Sequence, residues 1–156
     1  MAVLPPFQRF LEDHRDDVWR FLVAAVGRTD ADDCFQETFM AAMRAYPRLR
    51  SDSNLRAWVL TIAHRKALDT YRSRKRNAVP VEDVPEVAHH DPELRDGALW
   101  EQVRALPPKQ RGAVMLRYAG DLSHGEIATA LDCSEEAARR SLHEGLKKLR
   151  AAEVTA

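Results

Sequence analysis

The chain is poor in the residues that most often carry chemistry or covalent scaffolding. It has two cysteines in 156 residues, Cys34 and Cys133, and neither lies in a CxxC pair or a Cys/His cluster. This argues against a disulfide framework or a zinc site, and both thiols are expected to be small buried hydrophobes in a reducing compartment. The six histidines are scattered, with only His89 and His90 adjacent, so no metal site is expected. Glycine is sparse, at six residues, and no apolar run is long enough to span a bilayer. The start, MAVLPPFQRF, lacks the basic patch and continuous apolar core of a secretory signal, so a cytoplasmic protein without membrane association is expected. The stretch DLSH offers Asp121, Ser123 and His124, but neighbouring residues at a helix start do not set up a nucleophile, a base and an oxyanion site. Neither enzymatic activity nor a cofactor is expected.

What the chain does have is apolar residues at helical spacing in a background where 31% of residues are charged. This pattern predicts an all-α protein. Phe7, Phe10, Leu11, His14, Val18, Phe21, Leu22, Ala25 and Val26 step by threes and fours, so residues 7–27 read as a helix ending near Gly27. A second helix is expected from an N-cap at Asp30, with Phe35, Phe39, Ala42, Met43 and Tyr46 as its apolar stripe and Pro47 as its stop. After the polar loop RLRSDSN, Leu55, Trp58, Val59, Ile62 and Ala63 open a third helix ending at Arg76. Residues 77–96 hold three prolines, many acids and little periodicity, the signature of a flexible linker. Beyond it, Leu99, Trp100, Val103 and Leu106 mark a short helix, and Pro107 and Pro108 open another carrying Val114, Leu116 and Tyr118. Ser123 with Glu126 forms a capping box. The last helix follows an N-cap at Ser134, with Ala138, Leu142 and Leu149 facing inward. The expected organisation is two small helical domains, 7–76 and 97–151, joined by an acidic flexible linker, the second domain being a helix-turn-helix.

Formal net charge is zero, but the charges are segregated. Residues 1–40 hold four arginines against eight acids, and residues 64–76 hold six basic residues against one acid. Residues 77–101 reverse the balance, with one arginine and seven acids, and residues 139–150 restore it with five basic residues and one acid. Two basic segments set between acidic ones suggest a polyanion held at two places. The final helix opens with Glu135 and Glu136. Negative charge in a first turn is favoured by the helix dipole, and an acid there can also accept from a cytosine amino group in the major groove. Arg139 and Arg140, one turn on, can reach guanine edges or phosphates, while Lys147, Lys148 and Arg150 can hold the backbone.

The stretches DADDCFQETFMAAMRAYPRLRSDSNLRAWVLTIAHRKALDTYRSRKR and LPPKQRGAVMLRYAGDLSHGEIATALDCSEEAARRSLHEGLKKLR resemble, in order and separation, the two domains of bacterial RNA polymerase sigma factors of the extracytoplasmic-function group. The resemblance implies a transcription initiation factor. It places Asp32, Asp33, Gln36 and Glu37 on the surface that meets the clamp coiled coil of core polymerase, and directs the C-terminal domain to the flap. It assigns single-stranded minus-ten DNA to Asp52, Ser53 and Asn54 for base edges, and to Arg56, Arg65, Lys66, Arg72 and Arg74 for the backbone, with His64 and Asp69 as weaker candidates. Trp58 is expected to be packing. Duplex minus-thirty-five DNA falls to Ser134, Glu135, Glu136, Arg139, Arg140, His143 and Lys147. The acidic linker resembles connectors that thread the polymerase RNA channel, and an anti-sigma factor is a possible further partner. The run Glu135-Glu136-Ala137-Ala138 departs from the group's usual recognition-helix pattern, so the promoter sequence does not carry over. The alternative reading is a stand-alone helix-turn-helix regulator, which would bind its operator tightly without polymerase.

Overall fold

The computed structural model describes residues 3–76 and 97–155, so the expected linker, with His89 and His90, lies outside the described residues. Among these there are seven α-helices and no strands: α1 Phe7–Val26, α2 Arg28–Ala45, α3 Leu55–Arg76, α4 Gly97–Arg104, α5 Pro108–Tyr118, α6 His124–Leu131 and α7 Glu135–Thr155. A single 3-10 turn, Tyr46–Arg48, follows α2 around Pro47.

The first domain packs α1, α2 and α3 against one another. Phe10, Val18, Phe21 and Leu22 of α1 are fully buried, and Val59, Leu60 and Ala63 of α3 meet them. Burying each large side chain contributes about 1.5–3 kcal/mol. Trp58 packs as expected, its ring 5.7 Å from Phe10 and 6.3 Å from Tyr46. The chain reverses between α1 and α2 at Gly27, with φ 81° and ψ 164°. That backbone region is essentially closed to side chains. α2 therefore starts at Arg28 rather than after an Asp30 cap: Asp30 lies in the first turn and pairs with Arg74 of α3. Met43, expected in the apolar stripe of α2, is 55% exposed. Ala42 takes the buried position, and one helical step carries Met43 to the outer face.

The second domain stacks α5, α6 and α7, with α4 alongside. Val114, Met115 and Leu116 of α5, Ile127 of α6, and Ala138, Leu142 and Leu149 of α7 form its core. Tyr118, expected on that apolar face, stands out at 59% exposure at the end of α5. The capping box is present in both directions: Ser123 Oγ accepts from Glu126 N at 3.2 Å, and Glu126 Oε1 accepts from Ser123 N at 2.9 Å. The turn into α7 uses Asp132 in the left-handed conformation, φ 55°, which aspartate tolerates better than most residues. Cys34 is buried beside Thr70, its Sγ 3.0 Å from Oγ1, whereas Cys133 is only half-buried.

The two domains also touch. The Arg111 guanidinium lies 3.8 Å above the Tyr71 ring, and Arg104 donates to the Ala24 carbonyl at 2.8 Å, near the C-terminal end of α1. Asn54 donates to Glu126 Oε2 at 2.6 Å, and Arg56 to the Asp121 carbonyl at 3.4 Å. At the centre, Gly112 meets His64. A side chain at 112 would begin 3.0 Å from His64 Cε1 and 2.9 Å from Leu131 Cδ2, so any larger residue would have to push both side chains aside. His64 is 5% exposed and its pKa is lowered to about 4, first by burial and then by the charges of Arg111 and Arg65. In the free protein it lies in the seam between the two domains.

Two outcomes follow from this packing. Gly27→Ala should destabilise the first domain by roughly 1–3 kcal/mol, although its Cβ would meet nothing within 4 Å, because the cost is purely conformational. A thermal melt with unchanged Tm would contradict this. Unfolded His64 titrates near 6.5 and folded His64 near 4, so below pH 6.5 the unfolded chain binds a proton that the folded chain does not. Stability is full above pH 6.5 and falls as pH drops toward 4, with about 2 kcal/mol lost by pH 5. Urea unfolding at pH 7.5 and 5 should show that loss in the wild type, and a correspondingly smaller one in His64→Gln.

Candidate polymerase and nucleic-acid interfaces

Three rows of side chains remain exposed once the two cores are built. On α2, burial of Ala31, Cys34, Thr38, Phe39 and Ala42 leaves Asp32, Asp33, Gln36 and Glu37 facing outward. Among the described residues these four make no ion pair within the chain. The same face continues through Met40, 54% exposed, and Met43. The sequence reading missed Met40 as part of this row and assigned Met43 to the core, because apolar side chains at helical spacing look alike on either side of a helix.

The second row belongs to α3 and the loop before it. Asp52 is exposed and pairs with Arg50 at 3.5 Å, and Ser53 is half-buried. Asn54 is doubly occupied: Oδ1 accepts from Ala57 N at 3.1 Å, capping α3, while Nδ2 reaches Glu126. Arg56 is 32% exposed and held by Asp17 at 3.2 Å. Arg74 donates to the Val26 carbonyl at 3.3 Å besides pairing with Asp30, so it ties α3 to the start of α2 and is not a free cation. Arg65 and Arg72 are exposed, and Lys66 is half-buried. Arg65, Asp69, Arg72 and Arg76 follow at intervals of four, three and four residues and share one face. A shallow cavity of about 470 Å³ is lined by Asp69, Arg72, Lys75 and Arg76. Lys75 and Arg76 were not singled out from the sequence as contacts, although helical spacing from Arg65 points to Arg76.

The third row is on α7. Ser134 Oγ accepts from Ala137 N at 3.0 Å, so the expected cap is formed. Ser134, Glu135, Glu136, Arg139, Arg140, His143 and Lys147 are all exposed, opposite the buried Ala138, Leu142, Gly145 and Leu149. Arg139 pairs with Glu135 at 2.8 Å and Arg140 with Glu136 at 3.9 Å. The structure therefore gathers the seven expected residues onto one helix face, with its first two turns balanced in charge. Ser123, the would-be nucleophile of DLSH, is engaged in the capping box. Among the described residues no helix is long and apolar enough to cross a membrane.

Comparison with known proteins matches both halves of the chain. Residues 10–77 match the family described as Sigma-70 region 2, and residues 96–149 the family described as Sigma-70, region 4. The chain is 31% identical over 154 residues to the RNA polymerase sigma factor CarQ of Myxococcus xanthus, covering 92% of this chain and 87% of CarQ. It is 32% identical over 155 residues to the ECF RNA polymerase sigma factor SigD of Mycobacterium tuberculosis, covering 90% of this chain and 73% of SigD. Among solved structures, CnrH in complex with the cytosolic domain of CnrY aligns with a TM-score of 0.76 at 23% identity, covering 96% of this chain and 88% of that one. The sigma factor RpoE bound to the anti-sigma factor NepR, from Bartonella quintana, aligns at 0.75 and 22% identity, covering 93% and 94%. Two helical domains, each matching one conserved sigma region, and relatives spanning nearly the whole chain lead to one assignment: the chain belongs to the extracytoplasmic-function group of the sigma-70 family, the transcription initiation factors that give core RNA polymerase its promoter specificity.

Proposed function

We propose that this sigma factor docks on the clamp coiled coil of core polymerase through the outer face of α2, takes the melted minus-ten strand on α3 and the loop before it, and reads the duplex minus-thirty-five element with α7. The observation that supports this best is that the three rows left exposed by the fold differ in chemistry as the three tasks require. The α2 row is acidic and ends in two exposed methionines, a combination suited to a basic partner helix with apolar ridges, because thioether side chains adapt their shape to a surface. The outward row of α3 is cationic, which suits a strand held mainly by its phosphates. The α7 row mixes arginine and glutamate in its first turns, where a recognition helix meets base edges.

The domain contacts add a condition. Asn54 and Arg56, both candidate minus-ten contacts, are engaged by Glu126 and by the Asp121 carbonyl. Reading the melted strand with these residues requires the seam to part. Polymerase, gripping each domain at a separate place, the second one at the flap, supplies that separation. Alone, the protein is then a weak DNA binder, and promoter affinity arises on the polymerase. It performs no chemistry of its own and acts in the cytoplasm, where polymerase and promoters meet. An anti-sigma protein is a further partner class, as both structural neighbours above were solved in complexes.

Transcription in vitro with purified core polymerase on genomic fragments, followed by mapping of start sites, tests this reading. Initiation at discrete sites sharing two spaced elements is expected. Tight operator binding by the free protein, with no initiation, would establish the stand-alone regulator instead. Replacing Asp33 and Gln36 together with alanine should weaken core binding by roughly tenfold while the helical content stays unchanged. Equal affinity in a titration against core polymerase would remove α2 as the docking face.

A further inference from the structure

The glutamates that open α7 are not needed as caps, because Ser134 already fills that role. Their charge is favoured by the helix dipole in whatever direction the side chains point, so the dipole does not explain how they are placed. The structure gives Glu135 a definite placement. Its Oε1 accepts from Arg139 Nη2 at 2.8 Å. Its Oε2 lies over the first turn of α6, 3.9 Å from where a side chain on Gly125 would begin. Glu135 thus sits beside the first turn of α6 and accepts from one end of a guanidinium, with both side chains more than half exposed. Glu136 is different: its side chain is 87% exposed, and its pair with Arg140 is loose, at 3.9 Å.

Exposed ion pairs four residues apart add little to stability, so the consequence of this one lies in orientation and local charge. A free arginine near DNA is drawn to phosphate, the strongest negative charge within reach, and such a contact carries no sequence information. A guanidinium with Nη2 hydrogen-bonded to a carboxylate keeps its remaining N–H donors available for a second acceptor, and the negative charge beside it weakens its pull toward phosphate. What remains is a directional donor suited to a base edge.

We propose that Glu135 is a positioning residue for duplex recognition: it holds Arg139 toward the bases and away from the backbone, so that this pair contributes sequence discrimination while Lys147, Lys148 and Arg150 supply the hold on phosphate. The inference rests on the reading of α7 as the helix that meets the minus-thirty-five element.

The test uses holoenzyme reconstituted with core polymerase, on a promoter fragment defined by start-site mapping and on the same fragment with its upstream element scrambled. Glu135→Ala should raise binding to the scrambled fragment and lower the ratio of intact to scrambled binding on the order of fivefold or more, the scale of a lost arginine–base contact. Its salt dependence should steepen by about one phosphate contact, as Arg139 turns to the backbone. Glu144→Ala, exposed on the same helix but outside the row assigned to the element, makes the same change in net charge and should raise binding to both fragments without changing their ratio. In an Arg139→Ala background, Glu135→Ala should leave the ratio where Arg139→Ala alone puts it. If Glu135→Ala and Glu144→Ala behave alike, or if the Glu135 effect survives removal of Arg139, the positioning role is overturned while the sigma-factor function stands. If wild-type holoenzyme does not distinguish the two fragments at all, the assignment of α7 as the duplex reader falls, and the inference with it.

Discussion

One constraint shapes the whole molecule: a helix offers a single cylindrical surface, and α3 must divide its own among three uses. Val59, Leu60, Ala63 and Ala67 are turned to α1 and α2 and build the first core. His64 and Tyr71 meet the second domain at Gly112 and Arg111. The arc that stays open while the seam is closed carries Arg65, Arg72 and Arg76. Helical geometry, with about 100° between successive residues, therefore decides which cations of this basic helix are exposed in the free protein. Arg74 is as basic as its neighbours, but it points the other way and secures α2 by pairing with Asp30.

This division explains what could be read from the sequence and what could not. Periodicity identified the centre of each buried face correctly: Trp58, Val59 and Ala63, and later Ala138, Leu142 and Leu149, lie where the spacing put them. Local chemistry was equally legible. Ser123 and Glu126 form their reciprocal cap, and Ser134 caps the next helix, because those bonds join residues three apart. The edges of the faces were not legible. Met43 sits one helical step from buried Ala42 and Tyr118 two from buried Leu116, and an apolar side chain at such an edge is free to fall on either side.

Contacts between residues distant in sequence were beyond any local pattern. His64 in a run of basic residues resembles a DNA contact until α5 is brought over it, and then desolvation and the nearby Arg111 and Arg65 keep it neutral. Asn54 in a polar loop resembles a base reader, yet its amide reaches across 72 residues to Glu126. Arg56 reaches Asp17 and Asp121 in the same way. In each case the fold supplies an internal partner that no local pattern shows. Among the described residues Arg65 and Arg72 keep no such partner, and they lie on the arc of α3 that packing leaves open.

The zero net charge also has a physical role. A sigma factor with a strongly basic surface would be retained by the bulk of the chromosome, because non-specific affinity follows the number of phosphates neutralised. Here the cationic rows are offset in part: Asp69 lies among Arg65, Arg72 and Arg76, and the arginines in the first turns of α7 carry their own glutamates. On the reading proposed above, each surface alone holds DNA weakly. Strength must come from joining the two domains on one polymerase, where the second contact forms at the high effective concentration set by the tether and is lost when the geometry does not fit. In that design, selectivity is a property of the assembled complex, and the matched charges keep the unassembled protein free to find it.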